Sequence, residues 1–475
     1  KIGRLLNIQS GANTFTYGYN AVNPLIQKLT RPNGSFTEYL HNDPLKRLTD
    51  VINKNSSLQV INSYNYTYYT SGNSTDLIWK ETITTGEPID TFVAGTTTYT
   101  NNTLNQLTST SNPNRTFTYD NDGNMTTGFT PEGYALTMTY DAENRVKSAE
   151  YTDSSSVVHR TEYYYAGDSL LAEMKKYDGG ALTSTTRYVR EGFLPVQERD
   201  GNNTVTREYV WGLNLGGGIG GLLNLRQSSN DYSYLYDGKG NVASLINNTQ
   251  NVVANYRYDP FGMLMRKTAT IDQPYMFSTK PYDEKLGSYD FGFRRYMAEP
   301  GKWTTRDPIG ERGGINLYRF NNNSPMNWVD PYGLLTEVTI WQPVGWGRSS
   351  FGHVSVNIKG TTYTYFPKGM DILPTTQYLE INNFREGVGM VLNITPEQEA
   401  NLENYLKNYN KEYGRLTNNC VDPIESGIEN LGYDMGAILF PVSLGNRLMD
   451  LDMVGNYNFY QATQPKKGTS APWAK

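Results

Sequence analysis

A Tyr-Asp pair followed closely by Gly-Asn or Asn-Arg recurs along the first part of this chain. From Phe117 the chain reads FTYDNDGNMT, with Tyr119-Asp120 ahead of Gly123-Asn124; 21 residues later Tyr140-Asp141 precedes Asn144-Arg145. The unit returns as Tyr236-Asp237-Gly238-Lys239-Gly240-Asn241, and 22 residues on as Tyr258-Asp259-Pro260-Phe261-Gly262. Looser copies run from Phe15 to Asn20 and from Tyr39 to Leu48. The stretch before each pair alternates as a strand. The Asp then caps a turn whose next residues tolerate positive φ. One hairpin every 20 or so residues predicts a long antiparallel sheet with Tyr ladders across neighbouring strands. Such a sheet must curl or cap its edges.

Composition agrees with that fold class. The chain has 475 residues, too many for one ordinary domain. Its 38 Tyr outnumber 16 Phe and 7 Trp, and 45 Gly supply turns. A net charge of −5 disfavours a nucleic-acid-binding surface. One Cys excludes an internal disulfide framework, and His41, His159 and His353 lie far apart, so no metal or other cofactor is implied. No apolar run reaches the roughly 18–20 residues of a membrane span, so no stable insertion is expected. No signal peptide is seen, and Lys1 in place of Met reads as a fragment or processed chain.

The densest pattern lies between Tyr258 and Leu334: YDPFG, then Asp290-Phe291-Gly292-Phe293-Arg294-Arg295-Tyr296, Trp303 and Arg306-Asp307-Pro308-Ile309-Gly310. Asn316-Leu317-Tyr318-Arg319-Phe320, Asn323-Ser324-Pro325 and Asp330-Pro331-Tyr332-Gly333-Leu334 complete it. These ordered motifs resemble the RHS-associated core of the YD-repeat family, which includes Rhs polymorphic toxins, the C component of Tc toxins and teneurins. The resemblance implies a hollow β-shell enclosing a C-terminal toxin. A closed shell of the family uses more repeats, so an upstream segment or partner chain is expected to complete it. The expected division is repeats over 1–257, core element over 258–334 and a toxin domain over 335–475.

Asp307 and Asp330 each precede a proline, the setting of an ordinary turn cap. The resemblance implies more: self-cleavage after Leu334, before Leu335, with the two carboxylates sharing a proton and activating water. Arg306 can hold one of them ionised.

Beyond Leu334 the repeat ends. Thr395-Pro396-Glu397 reads as a helix start, with Leu402, Tyr405, Leu406 and Tyr409 at helical spacing. A second helix is expected from near Cys420 to Gly432. His353 to Ile358 alternates as a strand, Lys359-Gly360 is a turn, and Thr361 to Phe366 returns. This region carries 11 basic and 14 acidic residues, which disfavours an unaided nuclease. A buried Cys and a hydrogen-bonded core His account for Cys420 and His353 on residue counts alone. A helix N-terminus, however, favours thiolate at Cys420, and His353 can act as base and then acid.

Ser349-Ser350-Phe351-Gly352-His353 and Asn418-Asn419-Cys420 resemble the permuted papain-like (NlpC/P60-like, Lnb/DUF4105-type) superfamily, in the same His-then-Cys order over 67 residues. That resemblance implies a third, orienting group on the neighbouring strand: Thr362, Thr364 or Tyr365. A two-residue turn puts Thr364 on the face of His353; a three-residue turn favours Tyr365. Asn419 is a candidate for the oxyanion hole, and Trp341 and Trp346 for an apolar lining or the core.

The expectation is a mainly β chain, a YD-repeat antiparallel shell followed by a small α+β papain-like domain. The shell would release by self-cleavage a Cys–His hydrolase or acyltransferase acting on peptidoglycan, lipid or protein. The resemblances further imply a secreted effector delivered into a target cell, with a cognate immunity protein and a delivery machine. The rival is a non-enzymatic, teneurin-like surface protein whose small domain is a binding module.

Overall fold

The computed structural model describes residues 4–21, 25–44, 46–69, 78–85, 95–215, 218–307, 316–327, 330, 336–342, 352–358, 361–382, 385–392, 394, 396–414, 419–436, 438–451 and 454–460. The chain divides into two compact units, residues 1–305 with 318–329, and residues 306–317 with 330–475.

The first unit is antiparallel sheet laid down in sequence order. Seven strands from Asn7–Ser10 to Ile78–Thr85 form one meander, and fourteen from Thr118–Tyr119 to Leu264–Ala269 form another. A three-stranded sheet (Tyr99–Asn101, Leu107–Ser111, Asn114–Thr116) lies between them in sequence. Four short strands from Tyr282–Asp283 to Lys302–Trp303 follow. The long sheet continues through residue 258, where Val252–Tyr258 pairs with Leu264–Ala269.

The Tyr-Asp unit has a physical explanation in the hairpin turns. Asp237 Oδ1 accepts the amides of Lys239 at 2.8 Å and Asn241 at 2.9 Å, and Gly240 between them has φ +74°. Asp141 repeats this with Glu143 and Arg145, and Asp259 with Phe261 and Met263. One carboxylate oxygen thus satisfies the amides at i+2 and i+4 while residue i+3 turns the chain. The preceding Tyr ties the strand end backwards. Tyr140 Oη donates to Met125 O at 2.7 Å, Tyr236 Oη to Leu222 O at 2.6 Å and Tyr258 Oη to Val242 O at 2.9 Å. The Asp closes the turn and the Tyr staples it to the previous hairpin.

A charged clasp joins three strands to the short-stranded sheet. His159 Nδ1 lies 2.5 Å from Asp178 Oδ1 and Nε2 lies 3.1 Å from Asp153 Oδ2; Lys285 Nζ donates to Asp178 at 3.1 Å. The Tyr151 ring stacks on the imidazole at 4.8 Å, and Asp283 bonds Lys176 nearby. The hydrogen bonds to Asp153 and then Asp178 raise His159 above its usual 6.5, while both carboxylates are lowered below 3.8 by their own hydrogen bonds. A raised folded pKa means this stabilisation is full below pH 6.5 and lost as pH rises through the folded value. The carboxylate contribution is instead lost in acid, as pH falls through their lowered values. The melting temperature should therefore fall between pH 6 and 8, and His159→Ala should flatten that slope; an unchanged slope in the variant would show that the clasp does not set it.

The second unit has one six-stranded antiparallel sheet, ordered Gly369–Pro374, Thr361–Phe366, His353–Ile358, Thr336–Trp341, Gly387–Leu392 and Val454–Tyr460. Four helices accompany it: α1 (Thr375–Asn382), α2 (Pro396–Lys407), α3 (Asp422–Glu429) and α4 (Pro441–Asp450). Val354, Val356 and Ile358 alternate toward a core with Leu402, Leu406, Ile424, Ile428, Leu444 and Leu448 from α2, α3 and α4. The opposite parity, Trp341, His353, Ser355 and Thr364, is left to polar contacts.

Candidate functional site

Register places the site. Ile358 pairs with Thr361 and Ser355 with Thr364, so the connection is two residues long and Thr364 shares a face with Ser355 and His353. His353 Nε2 lies 2.6 Å from Thr364 Oγ1, and both residues are buried. Thr364 Oγ1 donates its own proton to Val354 O at 3.4 Å, so it accepts from Nε2–H. The imidazole is thereby fixed in its Nε2–H tautomer, with Nδ1 as the basic nitrogen. Phe366 stacks on the ring at 4.6 Å. Burial holds His353 well below its usual 6.5, and the Arg385 charge acts in the same direction. The ring is neutral at rest. Gly352 makes this entry possible: its φ is +92°, and a Cβ there would sit 2.7 Å from Trp341 O.

Cys420 is 7% exposed and lies against the backbone of the residue following His353. Burial pushes its thiol up to about 11, against the opposing effects of the Val354 and Cys420 amides and Arg385. The expected thiolate at a helix N-terminus is thus corrected. Helix α3 begins two residues later, at Asp422, whose carboxylate also opposes the thiolate. Among the described residues Cys420 and His353 share no hydrogen bond, so proton transfer requires a local rearrangement.

The remaining candidates separate by the same geometry. Tyr365 points away from Thr364's face; its hydroxyl donates to Lys411 O and its ring packs on Tyr409 at 5.2 Å. Thr362 pairs with Thr375 Oγ1 at 2.8 Å. Asn419 is engaged in shaping the entry to α3: its amide donates to Asp422 Oδ2 and its Oδ1 accepts from Val421 N, both at 2.8 Å. Its Nδ2 reaches Leu439 O at 3.4 Å, which draws it away from an oxyanion role. Trp341 is a buried core residue that donates to Ser355 Oγ at 2.9 Å. Trp346 lies outside the described residues.

Sequence reasoning missed Arg385 and Tyr378. Arg385 is 2% exposed and bonds Asn382 Oδ1 through Nε and Nη2 at 3.0 and 2.5 Å. Tyr378, on α1, faces Ser355 and Thr364 and stands edge-on to Trp341 at 5.9 Å. Neither carried a motif; the rarity of a buried Arg becomes visible only in the fold.

Of the residues read as a self-cleavage set, Arg306 and Asp307 are half-buried and Asp330 is 7% exposed. All three belong to the second unit. The Asp307 amide donates to Leu317 O at 3.0 Å. Leu334 and Leu335 lie outside the described residues. Among the described residues no group of three or more His, Cys, Asp or Glu is placed to hold a metal ion, and no helix is long and apolar enough to cross a membrane.

No family model matches the chain. It is 27% identical over 241 residues to the tRNA3(Ser)-specific nuclease WapA of Bacillus spizizenii, covering 49% of this chain and 10% of that protein. It is 26% identical over 244 residues to the double-stranded DNA deaminase toxin A of Burkholderia cenocepacia, covering 46% of this chain and 17% of that protein. A crystal structure of TcdB2-TccC3-Cdc42 aligns over 68% of this chain and 20% of that one, at 17% identity and a TM-score of 0.49. The similarity is therefore to Rhs-type toxins, and the chain spans a tenth to a sixth of those relatives' length. They carry two different activities by name, so the shared part does not specify one.

Proposed function

We propose that this chain is part of an Rhs-type toxin in which the repeat sheets enclose the cargo and the second unit is a thiol hydrolase or acyltransferase. The observation carrying this reading is the 2.6 Å bond that orients a neutral His353 on Thr364 beside the amide that receives Cys420. In the reaction the Cys420 proton passes to His353 Nδ1, and sulfur attacks the carbonyl carbon of an amide or ester. The leaving amine or alcohol then takes the proton from the imidazole as its bond to carbon breaks. Water or another acceptor next attacks the thioester and returns the thiol. Peptidoglycan, lipid and protein acyl groups all fit this chemistry.

The same proposal includes the division at 334/335, release of the second unit by cleavage after Leu334 with Asp307 and Asp330 as the dyad, and delivery as a secreted effector. A cognate immunity protein would guard the producing cell. A protonated, buried thiol favours a second reading, in which the unit is a binding module. Expression of residues 335–475 in cytoplasm or periplasm separates the two. Killing by the wild type should disappear in Cys420→Ala, because loss of a covalent nucleophile lowers turnover on the order of a millionfold. Equal growth with both folded proteins would leave the binding module; equal killing by both would mean a toxin of other chemistry.

A further inference from the structure

A strap of chain, from Ile438 into the first turn of α4, touches both halves of the thiol site. Ile438 N donates to Glu425 Oε1 of α3 at 3.2 Å, and Leu439 O accepts from Asn419 Nδ2, one residue before Cys420, at 3.4 Å. The Pro441 ring packs on Gly352, one residue before His353, where an added Cβ would lie 3.6 Å from its Cγ. Ile438 and Leu444 belong to the core that also contains Cys420. The apolar side chains between them stay outside: Leu439 is 51% exposed, Phe440 43% and Val442 58%. Met449, 42% exposed, lies two turns beyond Val442 on the same face of α4, about 10 Å along its axis. Exposed apolar residues scattered singly need no explanation, but a row of them beside a Cys–His pair does. No residue from Met435 to Asn446 is charged. The strap therefore suits a muropeptide or a polar protein segment poorly, because their carboxylates and amides need partners once desolvated. A hydrocarbon chain needs only to leave water.

We propose that the strap is the acyl subsite of the thiol site, where Leu439 and Val442 select a substrate whose acyl group carries an alkyl chain. The carbonyl carbon meets the Cys420 sulfur, the chain runs outward over the strap, and Met449 extends the track for its far end. Among the acyl donors compatible with the reaction, this selects lipid esters over peptidoglycan and protein amides.

This inference deepens the thiol-site reading and rests on it. The full chain is offered p-nitrophenyl acetate and p-nitrophenyl octanoate, both as monomers in solution; the thiol displaces p-nitrophenolate, and water then releases the acid. Wild type should prefer the octanoyl ester about fiftyfold in kcat/KM, because a methylene fully taken from water is worth about fourfold and the strap covers one side of the chain. Leu439→Ser and Val442→Ser should each cut that preference about fivefold, and Val442→Ile should retain it. Equal use of the two esters by a wild type whose hydrolysis disappears in Cys420→Ala overturns the acyl subsite and keeps the thiol enzyme. If neither ester is cleaved, binding decides. The fluorescent fatty acid cis-parinarate should still brighten on wild type and not on Val442→Ser, which would keep the alkyl subsite and remove the hydrolase; no brightening on wild type removes both. Flotation with phosphatidylcholine vesicles separates the sources of the chain. Protein that floats, and ceases to in Val442→Ser, takes the chain from a bilayer; protein that cleaves the octanoyl ester without floating takes it from a soluble donor.

Discussion

Trp303→Ala should destabilise the first unit by about 3–5 kcal/mol, the scale for deleting a fully buried large aromatic. Trp303 has no exposed surface and ends the last of the four short strands. Phe291, Tyr296 and Phe320 meet it edge-on at 5.1, 5.5 and 5.4 Å, and Tyr296 stacks on Phe320 at 4.0 Å. Arg294 lies over its face at 4.1 Å, so alanine also removes the aromatic partner of a buried cation. The cavity would be lined by rings held by backbone pairing, such as Tyr296 opposite Trp303, and such walls cannot collapse to fill it. Urea unfolding followed by circular dichroism should show the loss. A change under 1 kcal/mol would mean that the cluster is not packed as described.

How legible the fold was depended on whether its cause was local. The turn chemistry is local, so Asp120, Asp141, Asp237 and Asp259 announced their hairpins. Other copies hid behind equivalent chemistry: Asn55, Asn102 and Asn247 accept the same i+2 and i+4 amides, and Asp153 and Asp200 do so without a preceding Tyr. Their i+3 residues at positive φ are Leu58, Asn105, Gln250, Ser156 and Asn203, which a search for glycine overlooks. In the second unit the His353–Thr364 bond followed from one turn length. The burial of Cys420 and Arg385 did not, because it depends on packing between separate elements: Cys420 shares a core with Val354, Leu402, Ile424 and Leu444, and Arg385 meets Asn382 and Trp341. Helix α3 starts two residues beyond Cys420, and that small offset turns an activating helix end into a site beside Asp422. Helix α4 starts on a proline, Pro441, as α2 starts on Pro396, but Phe440 ahead of it offers no side-chain cap.

Wild-type protein should separate between Leu334 and Leu335, and Asp330→Asn and Asp307→Asn should each leave the chain in one piece. Two carboxylates that share a proton provide a base for water and an acid for the departing amide nitrogen, and asparagine keeps the shape while providing neither. The two aspartates stand 23 positions apart, yet both fall in the second compact unit, and Asp330 is the more buried. Removing either should slow cleavage roughly 10⁴-fold, the scale for single members of a hydrolytic set. Denaturing mass spectrometry of wild type and variants reads this directly. An intact wild-type chain would sink self-cleavage. Cleavage at the wild-type rate in both variants would keep the cut and remove the dyad, and the proline turns at Asp307 and Asp330 would then be caps alone.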